Sequence, residues 1–380
     1  MREGTPGLYR CTTIVMETWA RRWSVALLAV ALQPTQPAHR RTESLPTSPL
    51  RFAERLPELL QQVQARLADE AAAGSSCSPE RKIGTLVLEG GGVKGIAYGG
   101  AACALEAAGL LDGITTFRGT SAGSIAAALL ASGMGCDAMH AALMSAHLDE
   151  LVGSAGILSS LEQLRTSYGL HDGAQIQLHV EQLLASQLGS GAGDITFSAL
   201  RHRTNKTLQI TATSLTTSRL TFFDADRTPD VPVALAVRAS STIPLVFTPT
   251  IIGGEMYVDG GLLRNLPIEH SGPVTATSAT STILALGLRS PRLQLFGDAQ
   301  PQVTSLREFI SQVYGAVIWG PDSANSLLAT RQPNVEYLPI DSRGVSGRDF
   351  VLGSAQKQEL VGSGFVTVMS QLVRCGRARQ

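Results

Sequence analysis

The sequence predicts an α/β fold built on a central, mostly parallel sheet that is flanked by helices. From Lys82 onward, short apolar runs of strand length alternate with longer runs that have helical periodicity. Glycine-rich turns lie at the junctions, where a strand gives way to the following helix. This alternation is typical of parallel sheets that carry helices on both faces.

Two strand–turn–helix units open this region. The first joins a predicted strand at 85–88 to a helical stretch at 95–111, and the second joins a strand at 114–118 to a helix at 122–132. Four later runs have the apolar and β-branched composition of strands. They are 208–213, 220–223, 255–258 and 283–288. The mostly helical stretch 137–199 interrupts the alternation, and it predicts a cap or lid.

Residues 1–80 form a predicted leader that is disordered except for one helix. Arg21 and Arg22 precede a short apolar run at 25–32, and a polar stretch rich in proline, serine and threonine follows. A basic flank and a short apolar core are features of an export signal, but acidic residues lie in the long stretch before them. A disordered tail is the favoured interpretation, and both a cytoplasmic and a secreted location stay open.

Amphipathic helices are predicted on both sides of the central region. Apolar residues recur at helical spacing in 52–67, interrupted by Pro57, and this pattern favours a helix packed on the domain over a membrane anchor. Residues 273–380 are predicted to complete the α/β domain. They contain two further amphipathic stretches, 306–328 and 355–373.

The composition suits a globular protein and excludes some functions. Hydrophobic residues make up 44% of the chain and charged residues 16%, unlike a disordered chain. Basic and acidic residues number 31 each, so no net charge attracts a polyanion, and nucleic-acid binding is not predicted. The five cysteines are far apart and predict neither a disulfide framework nor a zinc site. Cys103 and Cys136 are predicted to be small buried hydrophobic residues.

The first glycine-rich turn runs from Gly90 to Gly95 and reads Gly-Gly-Gly-Val-Lys-Gly. Glycines let the backbone approach a ligand closely, and a helix start presents unpaired N–H groups, so this loop can bind an anion or an oxyanion. The spacing also fits a dinucleotide-binding loop, which needs an acidic residue at the end of the next strand. Asp112 precedes that strand and Arg118 ends it, so dinucleotide binding is disfavoured.

The second turn, from Gly119 to Gly123, reads Gly-Thr-Ser-Ala-Gly and has the GxSxG pattern of a nucleophile elbow. Such an elbow holds its serine on a sharp strand-to-helix turn at the carboxyl end of the sheet. The pattern alone is weak, but a buried strand precedes it and an apolar helix follows. Ser121 is therefore a candidate nucleophile, and the N–H group of Ala122 faces a developing oxyanion.

The third motif, Asp259-Gly260-Gly261, follows a predicted strand. An aspartate followed by glycines is more often a plain turn than a functional group. At the end of a strand, however, Asp259 could act as a base for the hydroxyl of Ser121.

Together the three motifs resemble those of the patatin-like phospholipases. In that family the oxyanion loop has the form GGGxKG, the elbow is GxSxG, and the catalytic aspartate lies in DGG or DGA; all three occur here in family order. Two supporting stretches also resemble the family, Ala-Ser-Ser-Thr-Ile-Pro at 239–244 and Asn-Leu-Pro at 265–267. The resemblance covers roughly 85–272, and it implies a three-layer catalytic domain over that range.

The resemblance implies a serine lipid acyl hydrolase of the phospholipase A or lysophospholipase type, acting on a lipid at a membrane surface without a metal or organic cofactor. Ser121 would be the nucleophile and Asp259 the general base of a Ser-Asp dyad. The implied oxyanion hole consists of Gly91, Gly92, Val93, Lys94 and Ala122. The implied turn-shaping glycines are Gly90, Gly95, Gly119, Gly123, Gly260 and Gly261. Lys94 has two interpretations: a charge beside the substrate's phosphate, or a solvated side chain at a helix start.

Three alternatives stay open. An α/β-hydrolase with a Ser-Asp-His triad would need a histidine, and of the seven in the chain only His270 follows Asp259 closely. His140, His147 and His179 lie in helical stretches and are predicted to be surface or lid residues. A non-catalytic lipid- or protein-binding module would keep the fold without the chemistry. The third alternative is a secreted bacterial effector that is active only with an activating protein partner from the host.

Overall fold

The computed structural model describes residues 52–69, 82–146, 164, 166–268, 281–289, 332, 334–347 and 350–378. Several predictions concern residues outside these ranges: the export signal, the helix at 306–328, part of the cap, and the histidines His147 and His270. None of the helices within the described ranges is long and apolar enough to cross a membrane.

An eight-stranded sheet lies at the centre of the described structure. Its strands are β1 (Ile83–Leu88), β2 (Thr116–Thr120), β4 (Thr207–Ser214), β5 (Arg219–Phe223), β7 (Thr250–Ile252), β8 (Glu255–Asp259), β9 (Thr282–Arg289) and β10 (Val335–Asp341). Their order in the sheet is β10-β9-β1-β2-β4-β8-β7, with β5 also paired to β4. A separate parallel pair consists of β3 (Gly169–His171) and β6 (Leu245–Phe247). Strands β10, β9, β1, β2 and β4 are mutually parallel, which confirms the predicted mostly parallel sheet.

Helices flank this sheet. They are α1 (Phe52–Asp69), α2 (Ala97–Ala107), α3 (Ala122–Ala131), α4 (Cys136–Ser145), α5 (Ala174–Leu188), α6 (Phe197–Thr204), α7 (Val233–Ser240), α8 (Gly261–Arg264) and α9 (Ser354–Arg374). Helix α9 coincides with the predicted stretch 355–373 to within one residue at each end. Its interior residues Leu360, Phe365 and Val368 are buried. Within the described ranges, this helix therefore contributes to the buried core.

Helix α1 is packed on the domain as predicted. Its residues Phe52, Leu56 and Val63 are buried, and the Phe52 ring lies edge-on to Phe365, with 5.3 Å between the ring centroids. The Phe52 ring also contacts His140 on α4, at 5.7 Å. His140 is therefore a core residue, and its prediction as a surface or lid residue was wrong. Burial lowers the pKa of the His140 imidazole, because the charged form loses its hydration.

The cysteine prediction was also wrong. Cys103 on α2 and Cys136 at the start of α4 form a disulfide, with their Cα atoms 4.4 Å apart. They are buried as predicted, but they are 33 positions apart in sequence. Only the side-by-side packing of α2 and α4 brings them together, and sequence spacing does not reveal that packing. The chain enclosed by the bridge includes β2, Ser121 and α3.

Replacing both Cys103 and Cys136 with alanine is expected to lower the free energy of unfolding by about 3 kcal/mol, since the bridge restricts the unfolded chain. Urea unfolding of the double variant against the oxidised wild type measures the difference. Mass spectrometry after alkylation of the thiols identifies the paired cysteines in the wild type. A double variant as stable as the oxidised wild type would show that this pair contributes nothing to the fold.

Candidate active site

The turn at Ser121 has the geometry of a nucleophile elbow. Strand β2 ends at Thr120 and helix α3 begins at Ala122, so Ser121 makes the change of direction alone, with φ 52° and ψ −125°. This backbone conformation is strained for a residue with a side chain. The carbonyl oxygen of Ser121 accepts two hydrogen bonds from Ser124, one from its N–H group at 2.8 Å and one from its hydroxyl at 2.6 Å. These bonds hold the first turn of α3 in place.

The two glycines of the elbow are required by close packing of backbone on backbone. A Cβ atom at Gly119 would overlap the carbonyl oxygen of Gly123. A Cβ atom at Gly123 would overlap the carbonyl oxygen of Leu88 at the end of β1. Gly119 therefore allows the elbow to close on itself, and Gly123 allows it to pack against β1.

Asp259 reaches the elbow because β2 and β8 share one edge of β4. Thr120, the last residue of β2, pairs with Thr211, and Asp259, the last residue of β8, pairs with the next residue, Ala212. Strand β5 takes the opposite edge, since it pairs with both of these β4 residues. Strands β2 and β8 run in opposite directions and end at the same point, so the register brings Ser121 and Asp259 together.

Hydrogen bonds fix the end of β8. Asp259 is 1% exposed, and its carboxylate oxygen Oδ1 accepts the N–H group of Gly261 at 2.7 Å. The backbone N–H group of Asp259 donates to the carbonyl of Thr242 at 2.8 Å. The backbone carbonyl of Asp259 accepts a hydrogen bond from the Thr213 hydroxyl at 3.1 Å. The carboxylate thus has a defined orientation at the end of the strand.

The glycine-rich loop lies directly beside the elbow. Gly90 exchanges two hydrogen bonds with Asn265: its N–H group donates to the Asn265 carbonyl at 3.1 Å, and its carbonyl accepts the Asn265 side-chain amide at 3.0 Å. A Cβ atom added at Gly90 would lie 3.1 Å from the Cβ of Ser121. One added at Gly95 would lie 2.8 Å from the Cβ of Ala122. The loop, the elbow and the segment after Asp259 are therefore in mutual contact.

Two of the predicted oxyanion donors, the N–H groups of Val93 and Lys94, already donate hydrogen bonds within the protein. The loop turns directly into a 3₁₀ helix at Gly92–Ile96, so the Lys94 N–H group donates to the Gly91 carbonyl at 3.3 Å. The Val93 N–H group donates to the carbonyl of Gly347 at 3.2 Å. The prediction that Val93 and Lys94 supply donors is corrected accordingly. The predicted donors that remain are the N–H groups of Gly91, Gly92 and Ala122.

The side chain of Lys94 matches neither of its two interpretations. It is 5% exposed, and its Nζ donates to the carbonyl of Leu288 near the end of β9 at 3.2 Å. Lys94 therefore ties the glycine-rich loop to the neighbouring strand. The sequence could not show this, because the two residues are 194 positions apart.

Arg118, which lies on β2 before the elbow, supports the segment after Asp259. It is buried, and its guanidinium donates to the side chain of Gln209 at 2.7 Å and to the carbonyls of Pro267 and Ile268 at 3.0 and 2.8 Å. Burial first, and the charge of Arg227 second, lower the pKa of Arg118 to about 10. The side chain remains charged near neutral pH and holds both carbonyls.

Three further residues, Ser240, Thr242 and Asn265, were not predicted to have a role in the site. All three are buried, and each contributes a hydrogen bond to one of the three motifs. Their only signal in the sequence was the resemblance of the stretches 239–244 and 265–267 to the family.

A serine on a strained strand-to-helix turn, a carboxylate beside it and a loop with N–H donors are arranged as in serine hydrolases. A patatin-like phospholipase family model matches residues 86–270. The uncharacterized protein YqhO of Bacillus subtilis is 30% identical over 298 residues, which cover 72% of this chain and 93% of YqhO. The chain therefore belongs to the patatin-like phospholipase family, and this membership supports a lipid hydrolase.

The chain is also similar to two further proteins. The probable lipid hydrolase 463L of invertebrate iridescent virus 6 is 29% identical over 191 residues, covering 49% of this chain and 62% of the viral protein. Among solved structures, VipD from Legionella pneumophila is 19% identical with a TM-score of 0.49, covering 78% of this chain and 67% of VipD.

Proposed function

We propose that this chain is a serine carboxylic ester hydrolase that cleaves fatty-acyl esters of lipids, of the phospholipase A or lysophospholipase type. Ser121 is the nucleophile and Asp259 the general base. The observation that supports this proposal is the register of β4, in which the last residues of β2 and β8 pair with the adjacent residues Thr211 and Ala212.

In the proposed reaction, the Ser121 hydroxyl gives its proton to the Asp259 carboxylate as its oxygen attacks the ester carbonyl. The tetrahedral oxyanion is stabilised by N–H groups of Gly91, Gly92 and Ala122, each worth about 3 to 4 kcal/mol of barrier. Collapse of this intermediate expels the alcohol, which takes the proton from Asp259, and leaves an acyl ester on Ser121. Asp259 then deprotonates a water molecule, whose oxygen attacks the acyl ester. The bond to the Ser121 oxygen breaks and releases the fatty acid, and Asp259 returns the proton to that oxygen.

Exposed apolar side chains beside β8 and just after it support a lipid substrate. Leu215 and Ile251 are 45% and 55% exposed, and they flank Met256 on β8: the Leu215 N–H group bonds the Met256 carbonyl, and Ile251 pairs with Met256. Leu263, four residues after Asp259, is 46% exposed. Phospholipids, lysophospholipids, galactolipids and acylglycerols all present the ester that this chemistry cleaves.

The disulfides support export among the two locations that the sequence leaves open. Cys103 and Cys136 are joined, and Cys375 is disulfide-bonded as well. Disulfides form and persist mainly in oxidising environments outside the cytosol. A secreted location is therefore the one we favour.

The proposal predicts that the purified protein releases fatty acid from mixed phospholipid vesicles. A fluorophosphonate, which reacts with activated serines, is expected to stop the release and to label the peptide that contains Ser121. Heat-unfolded protein is the control for non-specific labelling. Each assay is run with and without cell extract, because activity only with extract would indicate an activating protein partner.

Two results would contradict the proposed function. Labelling of a different serine, with loss of activity, would move the active site elsewhere. An absence of release and of labelling in both arms would favour the non-catalytic lipid-binding module.

A further inference from the structure

Ser240, the last residue of α7, is hydrogen-bonded to Ser121 and to Gly260, the residue after Asp259. Its hydroxyl oxygen accepts the backbone N–H group of Ser121 at 2.8 Å. Its carbonyl oxygen accepts the N–H group of Gly260, the residue after Asp259, at 3.3 Å. One buried residue therefore touches the elbow on one side and the end of β8 on the other.

The bond to Ser121 matters because of the strained backbone there. Ser121 lies before the first turn of α3, so its own N–H group has no partner in that helix, and the residue is only 8% exposed. A buried N–H group without an acceptor is destabilising. The hydroxyl of Ser240 satisfies this group while φ is 52°, and it therefore stabilises the conformation that presents the Ser121 side chain.

Helix α7 gives Ser240 a rigid support. Its residues Val233, Ala236 and Val237 are completely buried. Just beyond its end, the carbonyl of Thr242 accepts the N–H group of Asp259 at 2.8 Å. The C-terminal end of one packed helix thus contacts the elbow and the strand that carries the base.

We propose that Ser240 is a positioning residue, which holds the Ser121 elbow and the end of β8 in the mutual placement that lets the hydroxyl meet the carboxylate. The proposal rests on the proposed function of Ser121 and Asp259. Without the Ser240 hydroxyl, the elbow adopts other conformations for part of the time. Turnover and the reactivity of Ser121 then fall in proportion to the competent fraction.

The neighbouring residue provides a matched control. Ser241 is also buried, at 6% exposed, and within the described ranges its hydroxyl makes no hydrogen bond. Ser240→Ala and Ser241→Ala remove the same atom from adjacent buried positions. Only the first removes an acceptor from Ser121.

The test measures the rate at which a fluorophosphonate labels Ser121 and the final labelled fraction. For Ser240→Ala we expect the rate and kcat to fall by about 10- to 100-fold, with KM and the final fraction unchanged. Ser241→Ala is expected to stay within about twofold of the wild type. Ser240→Cys keeps a weaker acceptor, so its labelling rate should lie below that of the wild type and above that of Ser240→Ala. If Ser240→Ala does not fold, the loss of rate in Ser240→Cys relative to the wild type and to Ser241→Ala decides the matter.

Several outcomes would overturn the assignment of Ser240. One is labelling of Ser240→Ala at the wild-type rate, and another is an equal loss in Ser241→Ala. A wild-type rate with a reduced final fraction would mean that Ser240 serves only the fold. A wild type that is neither labelled nor active would instead refute the proposed function, and the role of Ser240 with it.

Discussion

Replacing Asp259 with asparagine is expected to lower kcat for fatty-acid release by about 10⁴-fold, because a dyad has no second base to take the proton from Ser121. Asparagine has nearly the same shape and keeps an oxygen that can accept the Gly261 N–H group. The fold and KM should therefore change little. Initial rates on phospholipid vesicles, with circular dichroism of the same preparation, measure both. Ser121→Ala should reduce release at least as much.

Two control variants separate the dyad from its rivals. Asp226→Asn makes the same chemical change at a side chain that is 71% exposed and paired with Arg201, and it should retain full activity. His270→Ala should also remain active. An inert but folded His270→Ala, together with an active Asp259→Asn, would replace the dyad by a triad that uses another acid.

Gly123→Ala is expected to lower the free energy of unfolding by about 3 kcal/mol and to abolish activity. The added Cβ would overlap the carbonyl of Leu88 and lie 2.7 Å from that of Glu89. Both atoms belong to backbone at the end of β1, next to the glycine-rich loop, so relief requires the elbow and the loop to separate. Urea unfolding measures the stability, and fluorophosphonate labelling of the folded fraction measures the elbow.

The control for this change is Gly113→Ala. A Cβ atom at Gly113 would have no atom within 4 Å, so alanine there should alter stability by no more than about 0.5 kcal/mol. If Gly123→Ala were as stable and as reactive as Gly113→Ala, the described packing of the elbow on β1 would be incorrect.

The sequence predicts the site well where its geometry depends on neighbours in the chain. A serine on a sharp turn needs glycines two residues away on both sides, so Gly119 and Gly123 mark Ser121 directly. Most strands of five or more residues, such as β4 and β9, also have a clear apolar pattern, but β10, which contains Pro339 and two acidic residues, was not predicted. The three-residue strands β6 and β7 are too short to produce one, and they were not predicted.

The sequence predicts poorly what depends on contacts between distant segments. The acceptor of the Val93 N–H group is Gly347, and the acceptor of the Ser121 N–H group is 119 positions away. Nothing in the local pattern of either motif indicates these partners. The same reason explains why Cys103 and Cys136 were predicted as separate buried residues.

Strands β2 and β8 end against adjacent residues on one edge of β4. This arrangement limits where the chain can accept insertions and deletions. Successive residues of a strand face opposite sides of the sheet, so a one-residue insertion within β8 would turn Asp259 to the far side. The hairpin at 215–218 and the turn between β7 and β8 are not bound by that count, and they can lengthen without moving the carboxylate. Among homologues, insertions and deletions should therefore accumulate in the hairpins, while the number of residues from Glu255 to Asp259 stays constant.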